Sequence, residues 1–496
     1  MKVYFRDSYL SRLNELHNAD ESTFTVIRGP RQVGKTTLVK QYLKKNKGVY
    51  LTISSKSTYL QLRDIADHLK HFPFIEDVAT EFASWREFFD YIFTLSREKS
   101  VDVIIDELQN LELVEPEAYE DLRDSWRKHS KEGVVRVMAL LSDGDFVKAA
   151  FDDQESPLYR INTHEIALKP FRLSEVMAIF RHNGSTLSSR DVATLYLVFG
   201  GLPKYYFLIE RFGLWKRGVV DILKELVFMD FAPLGYELKE LVINDFSRGN
   251  KIYLSILQAI ANGKTRMSEI ARAIDIPVTN LTKYLFELEK KKSIIRRELP
   301  VSADREAYSK FGRYALNNAF HNFWFRFVQP EIISYEMGMY ERITDGLGEK
   351  LHDYYDERLP RLIREIVEDY ADAELIADLF PHPIDKVGGV WNRKETIDLA
   401  VVSEKDKAVL LGVAHDKREA VTGSEAEKYI DALERFASQF DKYQRRLILV
   451  ARNGLQPEAE TQCRDRGVEV APAAYFTERV INSETPARDE MVEIGV

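Results

Sequence analysis

The chain has 496 residues, 45% hydrophobic and 30% charged, with a formal net charge of −9. Its length exceeds what one hydrophobic core organises, so several domains are expected, and its acidic balance excludes a chain built throughout to coat nucleic acid, though not a local basic face. The single cysteine, Cys463, excludes a disulfide framework or cysteine-rich zinc site and fits a reducing cytoplasm; MKVYFRDSYL lacks the apolar core of a signal peptide, and no run reaches the ~18 apolar residues of a membrane span.

In chain order, Phe24 to Ile27 predict a short buried strand. The segment Gly29-Pro30-Arg31-Gln32-Val33-Gly34-Lys35-Thr36 satisfies G-x-x-x-x-G-K-[ST] at every fixed position. Thr37 continues into a helix, TTLVKQYLKKN. The glycines let backbone wrap phosphate oxygens, and the N–H groups of the loop and following helix point at the anion. Lys35 is expected to reach the outer phosphates and Thr36 to hold Mg²⁺, with ATP or ADP as the ligand.

Residues 101–111, VDVIIDELQNL, predict a buried parallel strand ending in two carboxylates, and ligands of open α/β sheets gather at that edge. Asp106 is the expected metal residue. Glu107 is the expected base that polarises the attacking water. A further strand, VVRVMALLS (134–142), ends in Ser142 and Asp143, which either sense the γ-phosphate or simply begin a solvated loop.

With SPLYRINTHEIALKPF (156–171) and FGGLPKYY (199–206), these motifs resemble the archaeal-type P-loop ATPases of the broader AAA+/STAND group. In that family the usual carboxy-terminal extension is a nuclease-like region of unknown function. The resemblance covers most of the chain; the loop and acidic pair are generic, whereas LKPF and GGLP are more specific. It implies that Pro203 of the GLP motif packs near adenine; the residues alone also read as a plain Gly-Gly-Pro turn between helices. Arg160 either reaches a phosphate, in its own subunit or a neighbour's, or lies on the surface. Two departures stand out: Ser-Asp-Gly-Asp (142–145) replaces a G-S-S-like sensor, and Leu158-Tyr159-Arg160 lacks the glycine of L-Y-G-R.

Residues 250–318 follow the helix-turn-helix order. IYLSILQAIANG predicts a helix stopped at Gly263, RMSEIARAID a second, and TNLTKYLFELEKKK a third, capped by Thr279 or Asn280. SIIRRELP and REAYSKFGRYALN then predict the strands of a wing. Lys283, Lys290, Lys291, Lys292, Arg296, Arg297, Arg305, Lys310 and Arg313 make this stretch basic. They suit duplex DNA phosphates, or a structural element packed on the ATPase core.

The aromatic run FHNFWFRFVQP (320–330) predicts a packing segment, followed by a helix. IDLAVVS, AVLLGVAH, RRLILVARN and GVEVAP then alternate with helical signals, an order similar to a small PD-(D/E)xK nuclease domain. Glu349 would be the helix acid and Asp398 the first strand acid. The E-C-K triplet falls on Val413-Ala414-His415, so a domain without cleavage chemistry is expected. Asp416, one residue later, would point to the opposite face of a regular strand unless a bulge turned it back.

The expected architecture is an α/β P-loop, AAA+-like core (1–170), a helical lid (171–245), a winged helix (246–320) and a helical linker with the nuclease-like domain (321–496). The expected function is a cytoplasmic, Mg²⁺-dependent ATPase switch that associates with itself. The alternatives are an ATP-licensed DNA-binding protein and an ATP-gated nuclease.

Overall fold

The computed structural model describes residues 4–75, 81–142, 144–237, 251–301, 311–371, 375–415, 417–482 and 491–493. Asp143, Arg305, Lys310 and Asp416 lie outside the described residues. The chain divides into two units, residues 1–170 with 202–204 and 487–496, and residues 171–201 with 205–486.

In the first unit, near-continuous apolar runs become parallel strands, as sequences covered on both faces do. They are Thr23–Arg28 (β1), Gly48–Thr52 (β2), Asp102–Asp106 (β3), Arg136–Leu141 (β4) and His164–Ala167 (β5). The order is β5-β1-β4-β3-β2, all parallel, with Met491–Glu493 antiparallel on β5. Alternate residues serve opposite cores. Val103, Ile105, Val137 and Ala139 pack with aromatics of the helices Trp85–Lys99 and Ala118–Glu132. Ile104, Met138 and Leu140 pack with Leu13 and with Leu38 and Val39 of the helix Lys35–Tyr42. Trp85, Phe89 and Phe93 recur at the i,i+4 spacing and stack at 5.8 and 6.1 Å. At the strand-start edge, buried Asp102 accepts from the Tyr42 hydroxyl and pairs with His17 Nδ1 at 3.0 Å. Burial pushes its carboxyl up, and these partners oppose the shift.

The topology positions the site. β4 separates β1 from β3, so the β1 loop and the β3 carboxylates stand two strand spacings apart, roughly 10 Å. The carboxyl end of β4 falls between them.

The second unit begins with the helices Leu173–His182 and Ser189–Phe199, the latter opened by a reciprocal Ser188–Asp191 capping box. Phe199 stacks on Tyr205 at 5.1 Å, and Tyr205 meets Phe320 at 5.5 Å, so the aromatic run packs onto this helical end. Beyond the helices Pro203–Arg211 and Val219–Val227 come three more, Lys251–Ala261, Met267–Ala273 and Val278–Phe286. An antiparallel ribbon succeeds them, made of Ile295–Glu298 (β6) and Arg313–Leu316 (β7). The third helix is capped two residues before Thr279 and three before Asn280. Pro277, at φ −60° and ψ 139°, is its N-cap, which puts Thr279 and Asn280 inside the first turn.

The last domain opens with the helix Leu347–Asp369. Its sheet comprises Lys386–Trp391 (β8), Thr396–Ser403 (β9), Ala408–Ala414 (β10), Gln444–Ala451 (β11) and Val468–Pro472 (β12), ordered β12-β11-β10-β9-β8. β8, β9 and β10 are antiparallel; β10, β11 and β12 are parallel.

The ribbon is fastened to this sheet. The Val301 N–H donates to Gly389 O at 3.0 Å, and Trp391 Nε1 donates to Phe311 O. Arg313 donates to Thr396 Oγ1 at 2.6 Å, and its guanidinium lies 4.5 Å from the Trp391 ring centre. Burial pulls the Arg313 guanidinium down to about 10. Arg266 donates to the carbonyls of Asn392 and Arg393. Among the described residues, no single helix is long and apolar enough to cross a membrane.

Candidate active site

The loop after β1 is shaped by two left-handed residues, Gln32 at φ +66° and Gly34 at φ +99°. Only glycine adopts the second without penalty. Gly29 is required for a different reason: a Cβ there would stand 2.3 Å from the backbone oxygen of Leu168, which follows β5. The loop is therefore held by its neighbours; the Gly29 N–H donates to Leu141 O, at the end of β4. Val33 is fully buried and anchors the loop below, while Pro30 and Arg31 form its exposed crown.

Lys35 begins the helix and is almost fully buried. Its ammonium donates to Gly29 O at 2.7 Å and Pro30 O at 3.1 Å, so it lies across the loop mouth. Burial pulls its pKa down, Glu107 and Asp106 oppose that shift, and Arg31 adds to it. Thr36 donates to Asp106 Oδ2 at 3.0 Å, joining the loop to the end of β3. Thr37 is half-buried in the same helical turn.

Asp106 is held from three directions. Oδ2 also accepts the Tyr50 hydroxyl from β2, and Oδ1 accepts the Glu107 N–H at 2.9 Å. Burial pushes the Tyr50 phenol up to about 12, reinforced by Asp106. Glu107 takes the left-handed conformation at φ +56°, rare for a residue with a side chain. Its Oε1 accepts from Ser142 Oγ at 3.0 Å, and its Oε2 accepts from Gln109 Nε2. Thr36, Asp106, Glu107 and Ser142 thus make one chain of contacts across the carboxyl ends of β1, β3 and β4.

Pro203 borders this loop: a Cβ on Gly34 would stand 4.0 Å from Pro203 Cγ. Arg160 is not part of the chain of contacts. It is exposed at φ +52°, with its guanidinium 5.2 Å from the Tyr159 ring centre.

The residues suit magnesium nucleotide. The loop is a cradle that a Cβ at Gly29 would close, its lysine is aimed at the mouth, and the hard oxygens of Thr36 and Asp106 adjoin it. Among the described residues no cluster of three His, Cys, Asp or Glu side chains could enclose a metal. A site of two protein oxygens suits Mg²⁺, which keeps several waters and phosphate oxygens in its shell.

Residues 4–209 match the family model of an ATPase domain found predominantly in archaea. The amino-terminal domain is an archaeal-type ATPase domain. Residues 324–429 match a second family, of archaeal and bacterial proteins of unknown function. The chain is 26% identical over 414 residues to the uncharacterized protein MJECL04 of Methanocaldococcus jannaschii, covering 82% of this chain and 85% of that one. Among solved structures, it is similar to a Walker-type ATPase of Pyrococcus abyssi, at 22% identity and a TM-score of 0.47, over 65% of this chain and 96% of that one. It is also similar to the Aeropyrum pernix ORC2 protein, at 17% identity and a TM-score of 0.40, over 68% and 96%.

Two residues of the ATPase domain escape a reading of the motifs. Tyr50 sits on a strand where nothing local marks it, and only folding brings it to Asp106, 56 positions on. Gln109 lies two residues after Glu107 in VDVIIDELQNL, where spacing alone gives an amide no role.

The last domain was expected to lack cleavage chemistry, and the side chains at the triplet have structural roles. Val413 belongs to the hydrophobic core. His415 is 1% exposed, with Nδ1 at 3.1 Å from the Tyr429 hydroxyl and Nε2 at 3.1 Å from Glu419 O. Asp398 Oδ2 accepts the Ala414 N–H at 3.0 Å, and the Glu349 carbonyl accepts from Arg418.

Proposed function

We propose that this chain is an Mg²⁺-dependent ATP-binding and ATP-hydrolysing switch of the AAA+/STAND type. The observation that carries the reading is the contact chain Thr36–Asp106–Glu107–Ser142, which joins the phosphate loop to a carboxylate placed to act on water. When bound, Mg²⁺ supplies charge that offsets the phosphate oxygens and orients them. Lys35 exchanges its contacts with the loop carbonyls for the outer phosphates. Thr36 and Asp106 hold the metal side of the site, and Tyr50 keeps Asp106 turned toward it. Glu107 accepts a proton from the attacking water. Ser142 links Glu107 to the strand next to the loop and is the group best placed to sense a γ-phosphate. Pro203 forms a wall beside the loop, on the adenine side in our reading. Self-association would provide an arginine to the site, and Arg160, exposed and outside the contact chain, is the candidate to act in a neighbouring subunit.

In this reading residues 171–245 form the lid, 246–320 the winged helix and 321–496 a linker and a nuclease-like domain without nuclease activity. The ribbon contacts support a winged helix and terminal domain that respond to nucleotide as one body. Limited trypsin digestion should therefore cut residues 171–486 at different rates with Mg²⁺–ATP, with Mg²⁺–ADP and without nucleotide. Identical time courses in all three would contradict the switch.

A second reading, ATP-licensed DNA binding, has one observation in its favour. Thr279, Thr282 and Lys283 are exposed along the third helix, and Lys290 and Lys291 on the helical turn Glu287–Lys291 that continues it. Against it, Arg313 is engaged with Thr396 and Trp391, and Arg296 with Glu298 at 2.6 Å, so two wing cations are already committed. For the ATP-gated nuclease, we expect no cleavage of duplex or single-stranded DNA with Mg²⁺ or Mn²⁺, with or without ATP. The positions for the second acid and the lysine hold a core valine and a hydrogen-bonded histidine. Metal-dependent cleavage that disappears in Asp398→Ala would overturn this.

A further inference from the structure

Glu107 sits at a point where two local penalties converge. Its backbone occupies the left-handed region at φ +56°, a conformation that residues with a Cβ rarely adopt. Two residues on, Gln109 donates its amide N–H to Glu107 Oε2, while its amide oxygen is buried without a hydrogen-bond partner. A buried carbonyl oxygen left unpaired is uncommon, and strained or unsatisfied groups concentrate where function holds them. The two penalties fall on the groups that aim a single carboxylate.

The rest of the neighbourhood restricts Glu107 further. Its N–H is shared between Asp106 Oδ1 at 2.9 Å and Leu140 O at 3.1 Å, which fixes the backbone. Oε1 takes the Ser142 hydroxyl at 3.0 Å. Without Gln109, the carboxylate is held at one oxygen and can turn about its last torsion, a broad, two-fold barrier. Gln109 supplies the second point, and two points define the plane of a carboxylate. It sits on the short helical turn Leu108–Asn110, itself anchored by the fully buried Leu108 and by Asn110 Nδ2, which donates to Ile53 O at 2.8 Å. The donor is therefore mounted on rigid backbone, which suits a positioning role.

We propose that Gln109 is a positioning residue for hydrolysis: its amide fixes the plane of the Glu107 carboxylate, so that one lone pair faces the attacking water. The inference rests on the ATPase reading above. The proton passes from water to Glu107 as the water oxygen bonds to the γ-phosphorus and the bond to the ADP oxygen breaks; Gln109 neither gains nor loses a proton. Its effect passes entirely through Glu107.

The test is a double-mutant cycle in the full-length protein, using Gln109→Met, which keeps side-chain length and approximate volume, and Glu107→Gln. Single-turnover hydrolysis of γ-labelled ATP, affinity for a fluorescent ATP analogue and melting temperature are measured for all four proteins. Gln109→Met should slow hydrolysis by about tenfold or more, with nucleotide affinity within about twofold of wild type. In the Glu107→Gln background the same substitution should produce no further slowing, because the carboxylate it aims is gone. Unchanged hydrolysis in Gln109→Met, while the wild type turns over, would overturn the positioning role and leave the ATPase reading intact. Equal slowing in both backgrounds, or a loss matched by weaker nucleotide binding, would reduce Gln109 to a structural residue and likewise overturn the proposal. A wild type without hydrolysis would refute the ATPase reading and this inference with it.

Discussion

Glu107→Gln should bind ATP as the wild type does and release phosphate at least about a hundredfold more slowly. The substitution preserves shape and removes the charge. The Ser142 hydroxyl can rotate to donate or accept, so its contact with residue 107 survives. The amide of Gln109 faces Oε2, and a glutamine at 107 can present its oxygen there. The loop, Lys35, Thr36 and Asp106 are untouched, so nucleotide affinity should stay within a few-fold. What disappears is the carboxylate of the contact chain that does not touch Thr36, the one that accepts the water proton in the proposed mechanism. Phosphate release under saturating Mg²⁺–ATP, alongside equilibrium binding of a fluorescent analogue, checks both halves. A variant with turnover within threefold of wild type would remove Glu107 from the chemistry.

The second large effect is structural. Gly201→Ala should destabilise the second unit by about 3 kcal/mol or more. A Cβ at that position would stand 1.9 Å from Phe171 O and 2.7 Å from Phe171 N, so backbone meets backbone with no flexible side chain to yield. The two residues are also hydrogen-bonded, Phe171 N to Gly201 O at 2.7 Å. The neighbouring Gly200 takes φ +65°, and its carbonyl accepts the buried Tyr206 hydroxyl. This contact explains why LKPF and GGLP belong together: Phe171 closes the first motif, Gly201 stands in the second, and each exists in the form that lets the other approach. A loss approaching 3 kcal/mol is a large part of the 5–15 kcal/mol by which domains are usually stable. Denaturant unfolding followed by tryptophan fluorescence measures it, and a loss under 1 kcal/mol would show that the segments can separate cheaply.

The legibility of this molecule in its sequence follows from where its constraints act. The phosphate loop is legible because a backbone requirement dictates residue type at fixed spacing: Gly34 needs its positive φ, Gly29 its missing Cβ, and the apolar run of β3 ends in its two carboxylates. Tyr50 and Gln109 are not legible, because a hydroxyl on a strand and an amide after an acidic pair acquire meaning only from their partners. β8 does not stand out in the sequence because Gly388 and Gly389 dilute the strand pattern, glycine being depleted in strands. In the third helix of the 250–318 segment the residue pattern suggests a side-chain cap at Thr279 or Asn280, whereas Pro277, with its φ set by the ring, caps it. The basic character of residues 283–313 was plain, but charge does not name its partner. Arg296 and Arg313 spend theirs on Glu298 and on Thr396 with Trp391.

Hydrolysis of ATP at this site is the property on which the proposed function depends. The most direct measurement is phosphate release from Mg²⁺–ATP by the full-length wild type, with Lys35→Ala as the control. Steady phosphate release is expected, lost in Lys35→Ala together with nucleotide binding. No release above that control, at saturating nucleotide and across Mg²⁺ concentrations, would contradict it.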